Sequence, residues 1–145
     1  MTFRHLFALP LFCVLLLAGC GDDTPSNAPE SASQADSGSI EDKVALIVKL
    51  RDQIRDGFTS GDVDAAHGPL HDVGDKLDEL SKLIAQSDLS DEDKKTIEGH
   101  INTLFAAFGE IDKTLHGQEG STWEEEASTI DEAMEKLVQS CETDQ

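Results

Sequence analysis

The chain has 145 residues, with 11 Lys and Arg against 30 Asp and Glu and a formal charge of -19. Such acidity leaves no basic face to release phosphate counterions, which excludes nucleic acid as a partner, and anionic lipid headgroups repel the body of the protein. The roughly one hundred residues that follow the N-terminal segments suffice for one domain and are too few for two.

The chain opens with Arg4, continues in an apolar run from Leu6 to Ala18, and places small residues directly before Cys20. That is the three-part layout of a secretory signal. The run is too short to cross a bilayer, which needs roughly 17 to 25 apolar residues. Its last four residues, Leu17-Ala18-Gly19-Cys20, resemble the lipobox of bacterial lipoproteins. The resemblance implies that residues 1–19 are a signal peptide removed before Cys20, which then carries a diacylglyceryl group on its sulfur and usually an acylated amino group. It also implies an extracytoplasmic protein held to the cell membrane by lipid. Gly21 follows the cysteine where some lipoprotein families use aspartate for inner-membrane retention, so the outer membrane, facing the periplasm, is expected in a Gram-negative host. Loss of Arg4 with the leader takes the charge from -19 to -20, so attachment must come from the acyl chains.

Cysteine usage agrees with this. Cys13 leaves with the leader, Cys20 is committed to lipid, and Cys141 has no internal partner, so no disulfide framework is expected. Residues 20–39 are then the lipidated cysteine and a disordered linker. From Gly21 to Ser39 there is no aromatic, Leu, Ile or Val, so nothing repays the entropy of ordering, and a flexible segment of this length reaches about 20 to 25 Å.

The remainder, residues 40–145, reads as helix throughout. Ser39 with Asp42 makes an approximate capping box, and Ile40, Val44, Ile47, Leu50, Ile54 and Phe58 then recur at helical spacing up to Ser60-Gly61. Asp62 offers the next N-cap, ahead of Val63, Ala66, Leu70, Val73, Leu77, Leu80 and Ile84. A turn over Gln86 to Ser90 follows, and Ser90 with Asp93 caps a third run through Ile97, Ile101, Leu104, Phe108, Ile111 and Leu115, closed by His116-Gly117. Ser121 with Glu124 is a capping box for a fourth run through Trp123, Ala127, Ile130, Met134, Leu137 and Cys141. No segment alternates with period two. The expected fold is all-α, an antiparallel up-down-up-down four-helix bundle. The acidic runs Asp91-Glu92-Asp93 and Glu124-Glu125-Glu126 stand where helices begin and offset the positive dipole end. Neither has the alternating oxygen ligands and turn glycine of a calcium loop.

Chemistry concentrates in residues 66–77 and 110–117. His67 and His71 are four residues apart, as are Asp112 and His116, so on continuous helices each pair projects from one face. Folding the second and third helices about their turn sets position 67 near position 110, with Asp112 about 3 Å and His116 about 9 Å further along the axis. These residues are candidate ligands for zinc, copper or iron, with an incomplete shell leaving a position for water. The competing reading makes them partly solvated histidines beside the apolar seam. Pro69 bears on this. Inside a helix it deletes the bond to the Ala65 carbonyl and costs about 3 kcal/mol; alternatively Gly68-Pro69 starts the helix and His67 sits in a turn. The unbroken seam from Val63 favours a kinked but continuous helix. His100 is expected at the surface, Met134 and Cys141 as packing, and Trp123 as a plug for one end of the bundle.

The pattern of four apolar stripes resembles small secreted haem bundles of the cytochrome b562 and cytochrome c-prime types. The resemblance does not extend to their motifs: C-x-x-C-H is absent, and no methionine in the first helix pairs with a histidine in the last. Covalent haem is therefore excluded, and noncovalent haem would require His67 or His71 to turn inward. Asp64-x-x-His67 is a single imperfect copy of the ferritin-like di-iron motif, and the H-x-L-K-G of histidine phosphotransfer domains is absent. With no defensible nucleophile and base, and no cleft around the paired carboxylates, no catalysis is expected. Two functions follow. One is a non-enzymatic, lipid-anchored binding or accessory protein of the cell envelope, engaging an envelope protein or a ligand. The other is a metal- or haem-binding envelope protein using His67, His71, Asp112 and His116.

Overall fold

The computed structural model describes residues 38–142. The expected signal peptide, Cys20 and nearly all of the expected linker lie outside the described residues, as do residues 143–145. Four helices make up the fold: α1 (Ile40–Ser60), α2 (Val63–Gln86), α3 (Asp91–Leu115) and α4 (Trp123–Glu142). Each packs on its predecessor, α4 returns to α1, and the diagonal pairs do not meet, which is the neighbour pattern of an up-down-up-down bundle. Among the described residues there is no strand, and no helix is long and apolar enough to cross a membrane.

The apolar stripes face one another as their spacing requires. Ile47, Ile54, Leu77, Leu104, Ile130 and Leu137 are fully buried, each removing apolar surface worth about 1.5 to 3 kcal/mol from water. Met134 and Cys141 lie in this core, while Ala107 and Ala133 join it from outside the expected stripes. Val63 corrects the expected seam: as the first residue of α2 it stands 41% exposed, because helices end where the bundle stops covering them. Ile40, Phe58, Leu115 and Ala127 likewise pack at the margins, only partly buried.

Local chemistry sets the helix ends. Ser39 and Asp42 form a reciprocal capping box, Asp62 accepts the Ala65 N–H at 3.2 Å, and Ser90 accepts the Asp93 N–H at 3.2 Å. Gly61, at φ 78°, ends α1 in the left-handed geometry, so two residues suffice to reverse the chain. The tight α1/α2 packing next to this link depends on Gly57. A Cβ there would lie 2.8 Å from both the Cβ and the backbone N of Ala66.

The cap of α4 departs from expectation. Thr122, not Ser121, is paired with the helix: its N–H donates to Glu125 Oε2 at 2.8 Å, and its hydroxyl accepts the Glu125 N–H at 3.4 Å. Ser121 is drawn away because its N–H donates to the Glu110 carbonyl at 3.2 Å. The neighbouring Gly120 backbone sits so close that a Cβ would fall 2.3 Å from that same oxygen. At this end of the bundle the Trp123 ring, buried as expected, stacks on Phe58 with centroids 5.7 Å apart and planes 7° from parallel.

Beneath the surface of the α1/α2 pair lies a charge the apolar pattern does not reveal. Lys43 is 4% exposed, and its Nζ donates to Glu79 at 2.7 Å; Lys76 Nζ donates to the other Glu79 oxygen at 2.8 Å. These two bonds hold the Glu79 carboxyl at about 2, far below its usual value.

Candidate metal centre

α2 runs unbroken from Val63 through Pro69 to Gln86, so His67 and His71 stand one turn apart on a single helix. Pro69, between them, has no N–H to give the Ala65 carbonyl. On α3, Asp112 lies in the last full turn and His116 is the C-cap. A two-bond closure sets that cap: Gly117, at φ 69°, donates to the Thr114 carbonyl at 3.0 Å, and Gln118 donates to that of Lys113 at 2.9 Å. This is the Schellman arrangement, and it fixes where the His116 backbone stops.

The structure brings all four side chains together. His71 Nε2 lies 3.0 Å from His67 Nε2, which lies 3.4 Å from His116 Nε2. Asp112 Oδ1 is 3.5 Å from both His71 Nε2 and His116 Nε2. These contacts form a closed ring, His67 to His71 to Asp112 to His116 and back. All four donor atoms fall within 4.8 Å of one another.

His116 joins although simple axial counting set it about 9 Å away. The reason is the direction of side chains on antiparallel helices. Every Cβ tilts toward its own helix N-terminus. The N-terminus of α2 is at this end of the bundle and that of α3 is at the other, so His67 and His71 lean outward while Asp112 and His116 lean back to meet them.

The set could hold a metal ion. A regular tetrahedron with metal–nitrogen distances of about 2.0 to 2.1 Å has edges of about 3.3 to 3.4 Å. The four ring edges, 3.0, 3.4, 3.5 and 3.5 Å, bracket that value, and they fit a tetragonal set of donors as well as a tetrahedral one. Asp112 Oδ1 adds a second sign: it has almost no exposed surface, its polar neighbours in the ring are the His71 and His116 Nε2 atoms at 3.5 Å, and a cation at the centre of the ring would face it. The three imidazole Nε2 atoms lie at hydrogen-bonding distance along the ring, and a metal ion would replace those contacts. The side chains themselves are half open to solvent, at 57% for His71, 43% for His116 and 35% for Asp112. Among the described residues, no hydrogen bond reaches an Nδ1 of these histidines.

Haem does not suit this geometry. The imidazole centroids are 4.8 to 5.8 Å apart in mutually tilted contact, which leaves no slot for a macrocycle, and neither His67 nor His71 turns into the apolar core. His100 stands apart from the cluster. It is half-buried, in a shallow surface recess with Thr103, Glu132 and Lys136. Burial, and secondarily the Lys136 charge, lower its pKa. The expected lipidation residue, Cys20, lies outside the described residues.

No protein-family model, curated protein or solved structure matches this chain.

Proposed function

We propose that the protein binds a single divalent transition-metal ion outside the cytoplasm, as a non-enzymatic, lipid-anchored module of the cell envelope. The supporting observation is the convergence of His67, His71, Asp112 and His116 on one point, with Asp112 Oδ1 buried and otherwise unsatisfied. Among zinc, copper and iron we assign zinc: as a d10 ion it accepts unequal edges in any four-donor geometry, and ferrous iron binds such donors more weakly. Four protein donors around one ion are in keeping with a binding role. The address rests on Leu17-Ala18-Gly19-Cys20.

Titrating chelator-stripped full-length protein with zinc tests this reading. One equivalent should bind, and at a free zinc concentration a hundredfold above Kd the bundle should gain about 2.7 kcal/mol, seen as a rise in Tm. Asp112→Ala should abolish both effects. A flat titration, or a variant that binds as wild type does, would refute the assignment.

A second reading, docking of an envelope protein, draws on a shallow groove of about 420 Å³ where Val44, Val48 and Val138 line the α1/α4 seam. Val48→Asp should then weaken capture of that protein without altering zinc binding.

A further inference from the structure

We infer that the ion is exchangeable cargo, released through His71 to an incoming nitrogen donor, and is not a fixed part of the fold; this deepens the metal-binding reading above and rests on it. Four observations carry it. First, none of the four donor residues belongs to the apolar core, which closes through side chains such as Ile54, Leu77, Leu104 and Leu137 without any of them. A metal that holds a small domain together normally substitutes for a core; here the core is complete.

Second, the donors are graded in exposure. His71 is the most open at 57%, while Asp112 is the least open of the donors on the ring edges that reach it, at 35%, with its Oδ1 fully covered. An entering ligand therefore meets the His71 side of the shell first. Third, the imidazoles lack the support that normally locks metal-bound histidines, since no protein group reaches their Nδ1 atoms among the described residues. His71 can rotate into water without breaking any hydrogen bond outside the ring. Fourth, the acidic chain, at a formal charge of -19, raises the local concentration of cations and speeds their arrival.

The exchange step is a ligand substitution. A bond forms from the entering nitrogen to the metal, the bond from His71 Nε2 breaks, and the freed lone pair is taken up by water. The ion keeps its charge and no electron moves. His67, His116 and Asp112 then release in turn, Asp112 last because its oxygen is the one enclosed.

The test loads full-length protein with one equivalent of zinc and mixes it with a chromogenic pyridylazo chelator, a nitrogen donor, in a stopped-flow instrument. The release rate should rise with chelator concentration, while far-UV circular dichroism stays unchanged after the zinc has gone. His71→Ala should release at least about tenfold faster, with Asn in its place no slower than Ala. A rate independent of chelator concentration would show unassisted dissociation, and loss of helicity on release would show a structural ion; either would overturn the inference while leaving metal binding intact. Failure to load zinc at all would remove both.

Discussion

Glu79 shows how much one carboxylate can matter in a chain crowded with acids. Its two oxygens receive the nearly buried Lys43 and the partly covered Lys76, and its pKa falls to about 2 from an ordinary 4.5. A carboxyl with a depressed folded-state pKa stabilises above its unfolded value, and that stability is lost as pH falls through the folded one. The window is therefore about pH 4.5 down to about 2. Since solvent reaches this side chain, 39% exposed, screening reduces the contribution to about 1 kcal/mol. Urea unfolding at pH 6 and at pH 2.5 checks it: Glu79→Gln should be less stable than wild type by about 1 kcal/mol at the higher pH, with the gap narrowing at the lower. A gap that widens in acid would contradict the sign. Lys43 itself was not legible as a buried residue, because only the folded α1/α2 contact reveals that its stem crosses apolar surface to reach Glu79.

At the scale of single elements, the helices and most of their ends follow from local chemistry. Ser39, Asp62 and Ser90 cap as their sequence context predicts, because the bonds they make reach only three residues ahead. The start of α4 does not. Ser121-Thr122-Trp123-Glu124-Glu125 contains two overlapping box patterns, and only the tertiary bond from Ser121 to Glu110 decides between them. Thr122→Ala should thus cost about 1 kcal/mol in thermal denaturation, and Ser121→Ala, which keeps its N–H, only a few tenths. The reverse order would place the box one residue earlier. Pro69 is the element that breaks a local rule, and it does so between two candidate ligands. Such local conflicts in otherwise consistent sequences are concentrated at functional sites.

For the molecule as a whole, two independent parts combine: a proposed lipid anchor at Cys20 and a bundle with a proposed metal site at the end where α2 begins and α3 stops. Because the acidic body has no attraction for anionic headgroups, the anchor should carry all of the membrane attachment. Fractionation of cells checks this: wild type should sediment with membranes, and Cys20→Ser should remain soluble after osmotic release. A variant that still sediments would place the attachment elsewhere on the chain. In the bundle, the α2/α3 turn stands at the opposite end from the four donors, so the ion would tie together the ends of two helices that no connection joins.

The number of helices, their order and nearly all core positions were determined by the sequence alone, because apolar spacing and caps act over one or two turns and are written in adjacent residues. The pairings His67 with His71 and Asp112 with His116 were legible for the same reason. What only the tertiary structure decided was whether the two pairs meet. Axial counting treats side chains as points on a cylinder and set His116, a candidate ligand, about 9 Å along the axis from His67. The opposed tilt of Cβ vectors on antiparallel helices closed that distance, and side-chain direction depends on how two helices face each other, which no local pattern encodes.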